Sequence, residues 1–184
     1  PPSLRVPLSK YIELTGLAPC FDDKSAGSQS RLIERSGFGE ETCLPPACHV
    51  IPPEKTLKAA RAEAEQGIFS AVDAVLAKTG VRAEDIGVVV VNCTLFAPTP
   101  SMADMVVRRY GFRSDVRCFS LSGMGCSAGT AGIGLAENIL QCDSRCKYAL
   151  VVSTEILTSD YYSGNERAML LQNCLFRMGA SAVV

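Results

Sequence analysis

The sequence has a single histidine, His49, and it stands between Cys48 and Val50 with no catalytic motif around it. It reads as a structural or surface residue. No Cys-x-x-Cys pair opens a helix, which argues against a dithiol redox protein. Cys43-x4-Cys48 and Cys142-x3-Cys146 have spacings a metal site uses, but neither has a second pair with histidine, so no metal is expected. No apolar run approaches the roughly 20 residues of a membrane-spanning helix. The opening PPSLRVPLSK lacks the apolar stretch of a secretory signal, so the segment reads as soluble. The 18 Lys and Arg residues are scattered and the net charge is −1, which leaves no basic footprint for nucleic acid. Internal repeats and low-complexity stretches are also absent.

What is present is a globular composition. A chain of 184 residues with 47% hydrophobic and 20% charged residues suffices for one domain with a substantial core. The nine cysteines are odd in number and irregularly spaced, which favours free thiols in a reducing compartment. One of them is then available as a nucleophile.

Residues 1–55 mix short apolar pieces with Gly, Ser and Pro, and read as an arm with one short helix near Gln29 to Arg35. Residues 56–184 read as the layered domain proper. Thr56 to Thr79 has no proline, and Leu57, Ala60, Ala64, Ile68, Val72, Val75 and Leu76 recur at helical spacing, which predicts an amphipathic helix stopped at Gly80. Ile86 to Cys93 is a β-branched run of the kind buried on both faces of a parallel sheet. A helix over Ser101 to Tyr110, a strand over Val116 to Leu121, a helix over Cys126 to Gln141 and a strand over Tyr148 to Thr154 follow. The alternation predicts an α/β layered fold with a mostly parallel sheet. Leu157 to Arg167 reads as irregular, and a strand begins near Gly179, so the chain is expected to end inside a larger fold.

The segment Ser122 to Gly134 (SGMGCSAGTAGIG) is a glycine-rich passage from strand to helix with Cys126 at the helix start. Such a turn exposes a side chain beside unpaired amides. A helix N-terminus favours negative charge by up to about 2 kcal/mol, which suits a thiolate. The same amides, including that of Cys126, can serve as an oxyanion hole for acyl transfer to sulfur. Equally, Cys126 can be a small packing residue, the usual fate of a free cysteine. Gly129, Gly132 and Gly134 predict a helix packed closely against other backbone. Cys93, Cys118 and Cys174 lie on apolar elements and read as buried packing residues.

Several long stretches carry a resemblance: RSGFGEETCLPP (35–46), VVNCTLFAPTPS (90–101), SLSGMGCSAG (120–129), VVSTEI (151–156) and YYSGNERAMLLQNCLFRMGASA (161–182). In order and over nearly the whole chain, they are similar to plant very-long-chain β-ketoacyl-CoA synthases, the fatty-acid elongase condensing enzymes of the thiolase-like superfamily. The resemblance implies the N-terminal half of a thiolase-like fold, with Cys126 as the acyl-accepting catalytic nucleophile. It implies acyl-CoA and malonyl-CoA as substrates and no cofactor. Products would be carbon dioxide, CoA and a β-ketoacyl-CoA, in very-long-chain fatty acid synthesis for wax, suberin or seed oil. It further implies a homodimer, other elongase enzymes as partners and a location at the endoplasmic reticulum membrane with the active domain facing the cytosol.

Family members also use a histidine and an asparagine from the second half of the fold, and neither position falls within these residues. The 184 residues alone are therefore expected to condense substrates poorly. Relatives such as chalcone synthase carry a phenylalanine in Leu-Phe-Gly-Asp-Gly-Ala that guides acyl groups. The matching stretch here is Leu175 to Ala180 (LFRMGA), which makes Phe176 a substrate-binding candidate, with Arg177 and Met178 departing from the pattern. A core aromatic before a strand is the other reading of Phe176. Glu155 closes a strand at the edge where sites often lie, and structural pairing is its simpler role. Phe96 to Ser101 resembles a loop that reaches a partner subunit in relatives, though Pro98 and Pro100 also suit a turn. The alternatives are a type III polyketide synthase-like enzyme, against which RSGFGEETCLPP and NCLFRMG argue, and a noncatalytic acyl-CoA-binding scaffold.

Overall fold

The computed structural model describes residues 2–184. In chain order it contains helices α1 (Leu8–Leu17), α2 (Asp23–Glu34) and α3 (Leu57–Thr79), strand β1 (Ile86–Cys93), helix α4 (Met102–Tyr110), strand β2 (Arg117–Ser122), helix α5 (Ala128–Cys142), strand β3 (Tyr148–Glu155), helix α6 (Arg167–Leu175) and strand β4 (Gly179–Val183). They form two compact units, one of residues up to Glu63 with Leu157–Met178, the other of Ala64–Ile156 with Gly179–Val184.

The second unit holds a four-stranded sheet in the order β2-β1-β3-β4. β1 pairs in parallel with both β2 and β3, and β4 runs antiparallel to β3. Every residue of β1 is buried, as its unbroken β-branched run predicts for a central strand. Successive strand residues point to opposite faces. Val88 and Val90 pack with Ala136, Ala149 and Val151, against which Phe119, Leu121, Leu135 and Ile139 lie half-buried. α5 therefore covers that face. β2 is an edge strand whose residues alternate between half-buried and exposed. This corrects the reading of Cys118, which lies on the exposed side of β2. An apolar run with a serine at every second position is the pattern of a one-sided strand.

α3 and α4 follow their sequence signals closely. Ala60, Ala64, Ile68 and Val72 are fully buried along α3. Ser101 caps α4 by accepting from the Asp104 amide at 3.1 Å, and Gly111 ends it in the left-handed conformation.

In the other unit α1, α2 and α6 pack around Val6, Tyr11, Ile33, Leu44, Cys48, Leu157 and Cys174. Residues 1–55 thus carry two helices where one was expected, and the longer one, α2, starts at Asp23 rather than near Gln29. Asp22 explains the early start, because its carboxylate accepts from the Ser25 amide at 2.7 Å. α6 lies between the irregular stretch Leu157 to Arg167 and the strand near Gly179, where the sequence pattern shows no element. Asn173 is the polar hub here: its side chain accepts from the Tyr162 amide at 3.0 Å and donates to the Tyr162 carbonyl at 2.8 Å.

Candidate active site

β2 ends at Ser122 and α5 begins at Ala128, so the chain must turn within five residues. Gly123 and Gly125 do this at φ of 69° and 74°, a left-handed setting that costs an L-residue about 1–2 kcal/mol. Cys126 follows in the turn, exposed, two residues ahead of the helix rather than at its first position. The Ala128 amide donates to the Gly125 carbonyl at 3.1 Å and closes the turn around it. Ser127 is the N-cap, but its hydroxyl donates back to the Met124 carbonyl at 3.1 Å, so no side chain caps α5. Exposure sets Cys126 apart from the buried Cys48, Cys93 and Cys174, and its place in the glycine turn sets it apart from the exposed Cys118 and Cys142.

Gly129 and Gly132 bring the first turns of α5 down onto the sheet. A methyl group at Gly129 would stand 3.2 Å from Ser153 Oγ, and one at Gly132 would stand 3.3 Å from Val90 Cγ1 and 3.4 Å from Val151 Cγ1. Gly134 has nothing within 4 Å, so close packing holds for two of the three glycines singled out in the sequence. Ser153 is itself held by Asn92, whose amide donates to Ser153 Oγ at 2.8 Å and to the Val152 carbonyl at 3.2 Å. Buried Asn92 and half-buried Ser153 are supports that sequence reading missed. An asparagine and a serine inside otherwise β-branched runs were the available signal.

Glu155 accepts from the Thr94 amide at 2.8 Å and the Leu95 amide at 3.0 Å, which fixes the chain as it leaves β1. That is the structural pairing expected of it. In the loop that follows, Phe96 is buried, and Ser101 serves as the cap of α4. The Thr99–Pro100 and Ile51–Pro52 peptide bonds are cis.

Phe176 belongs to the helical unit, as the C-cap of α6, half-buried against the cluster that contains Tyr11 and Cys174. His49 lies in the same unit with Nε2 3.1 Å from the Leu44 carbonyl, a structural contact. All nine cysteines are free. Burial pushes the Cys48 and Cys93 thiols up to about 12 and Cys174 to about 11, which keeps these three protonated and unreactive. Among the described residues, no group of three His, Cys, Asp or Glu side chains stands together as a metal site would require. No helix among them is long and apolar enough to cross a membrane.

A mostly parallel sheet with a cysteine at the turn between an edge strand and the helix beneath it defines the class as a thiolase-like α/β fold. The crystal structure of 1,3,6,8-tetrahydroxynaphthalene synthase from Streptomyces coelicolor A3(2), a bacterial type III polyketide synthase, shares that fold at a TM-score of 0.76 and 22% identity, over 99% of this chain and 53% of that one. The chain belongs to the FAE1/type III polyketide synthase-like protein family, whose model matches residues 1–184. It is 52% identical over 183 residues to 3-ketoacyl-CoA synthase 6 of Arabidopsis thaliana and 50% identical over 184 residues to 3-ketoacyl-CoA synthase 9 of the same plant. Both alignments take in 100% of this chain, which spans 37% and 36% of those two relatives.

Proposed function

We propose that the protein is a β-ketoacyl-CoA synthase of very-long-chain fatty acid elongation, with Cys126 as its acyl-accepting nucleophile. The observation that carries this reading is the exposed Cys126 in its glycine-built turn, in a chain about half identical to 3-ketoacyl-CoA synthases. In the first half-reaction the sulfur attacks the carbonyl of a long-chain acyl-CoA, a carbon–sulfur bond forms and CoA leaves as its thiolate. Amides of the turn and of the start of α5 are suited to the oxyanion of the intermediate. In the second, malonyl-CoA loses carbon dioxide, its enolate attacks the acyl thioester, and the β-ketoacyl-CoA departs as the Cys126 sulfur is released. Neither step calls for a metal or a redox cofactor. Phe176 is assigned to the acyl path. Family resemblance supports a homodimer that works with the other elongation enzymes at the endoplasmic reticulum membrane.

The test is intact mass after incubation with a long-chain acyl-CoA, before malonyl-CoA is added. An acyl-sized gain in the full-length protein, absent in Cys126→Ala, is the expected result. No gain in either protein would remove Cys126 from the mechanism and leave an acyl-CoA-binding scaffold. The shared fold favours a second reading, a type III polyketide synthase-like enzyme. Offering a long acyl-CoA and coumaroyl-CoA together separates the two, with the long chain expected on the sulfur.

A further inference from the structure

Phe176 is followed by Arg177, one of the two residues that depart from the polyketide synthase pattern. Its guanidinium is half-buried and has no carboxylate partner among the described residues. Two aromatic rings flank it instead, Tyr11 with its centroid at 4.3 Å and Phe38 at 4.4 Å. Arg177 Nη1 donates to the Phe176 carbonyl at 2.7 Å and to the Asn173 carbonyl at 3.1 Å, where the Tyr11 hydroxyl also donates at 2.7 Å. These carbonyls lie at the electronegative end of α6, which with the two ring faces replaces a counter-ion. On the other side of Phe176, the Met178 amide donates to the Cys43 carbonyl at 2.9 Å.

The backbone of Phe176 is thereby fixed from both directions. Phe38 and Cys43 come from RSGFGEETCLPP, and Asn173 to Met178 from NCLFRMG, the two stretches that favour elongase over polyketide synthase. Distant in sequence, they meet at this clamp. We propose that Arg177 is a positioning residue for acyl-CoA binding, holding Phe176 in one setting on the acyl path. The proposal rests on the assignment of Phe176 given above. Arg177 touches no reacting atom. Nη1 alone serves both carbonyls while Nη2 is buried without a partner, so what sets this residue apart from a lysine is the flat guanidinium face lying over the Tyr11 and Phe38 rings.

Steady-state kinetics of the full-length protein with a long-chain acyl-CoA and malonyl-CoA test it, using Phe176→Leu, Arg177→Lys and Thr15→Val. Thr15 is buried and donates to the backbone carbonyl of Tyr11 at 2.9 Å, so its loss weakens the same unit while leaving both rings and the guanidinium in place. Phe176→Leu and Arg177→Lys are each expected to raise KM for the acyl-CoA by about tenfold with kcat within about twofold of the parent. Thr15→Val lowers the melting temperature and leaves KM in place. Arg177→Lys with a lowered melting temperature and a parental KM overturns the clamp while Phe176 keeps its role. An unchanged KM in Phe176→Leu overturns the assignment of Phe176, and the clamp with it. Should Arg177→Lys fail to fold, Phe38→Leu removes one ring only; a raised KM supports the clamp and a parental one overturns it.

Discussion

Glu63 sits within the apolar stripe of α3, between Ala60 and Ala64, and is 2% exposed. One oxygen accepts from the Leu157 amide at 3.0 Å and the other from the Thr158 amide at 2.9 Å, so the carboxylate tethers the chain where it leaves β3. Burial pushes its carboxyl above the ordinary 4.5 and outweighs the two amides that favour the charged form. The folded state thus holds the proton more tightly than the unfolded chain. Stability from that proton is complete below 4.5 and is lost as pH rises through the folded value. Glu63→Gln does not titrate, and its amide accepts from one backbone N–H while facing the other with a donor, a loss of about 1–3 kcal/mol. Urea unfolding at pH 5 and pH 7 should show the wild-type advantage over Glu63→Gln shrinking toward neutrality. An advantage that grows with pH would mean that the two amides dominate over burial.

At the scale of elements, α5 offers two glycines two residues apart with opposite outcomes. Gly134 has open space around it, so Gly134→Ala should gain the ordinary helix preference of about 0.5–1 kcal/mol. Gly132 faces Val90 and Val151, whose branched side chains are stiff on their strands and cannot retreat. Overpacking there costs about 1–3 kcal/mol, more than the helix preference returns, so Gly132→Ala should destabilise. Denaturant midpoints of the two variants on either side of the parent are the expected pattern, and midpoints on the same side would show that α5 can shift on the sheet. The same elements show what a sequence pattern can convey. β1 was legible because burial on both faces leaves an unbroken apolar run, and α3 because one face repeats over its whole length. α6 was not legible, because Asn173 stands among its buried residues while Met169, Leu171 and Leu175 are exposed, which erases the period. α1 has no side-chain cap and follows a proline. At the candidate site Cys126 and its turn could be read from glycine spacing. The Asn92–Ser153 support and the Arg177 clamp could not, because both join residues distant in sequence whose polar types fit many roles.

For the molecule as a whole, Cys126 is the proposed nucleophile, and histidine, the most frequent general acid–base residue, occurs once. That histidine, His49, is engaged with the Leu44 carbonyl, in the helical unit. Acyl transfer to sulfur asks chiefly for an accessible sulfur and amides at the oxyanion, and the proposed groups for both, Cys126 and the amides of its turn, belong to the sheet-bearing unit. Decarboxylation asks in addition for donors at the developing enolate, and a missing general acid–base group costs about 10²–10⁴-fold while a missing oxyanion donor costs about 10²–10³-fold. The 184-residue chain should therefore take an acyl group onto Cys126 yet make β-ketoacyl-CoA at least about 10²-fold more slowly than the full-length protein. Acyl-adduct mass and product formation, measured on the same sample, separate the two half-reactions. An adduct without product places the enolate machinery outside these residues. Comparable turnover by the 184-residue chain would mean that groups already present, His49 or Asn92 among them, promote decarboxylation.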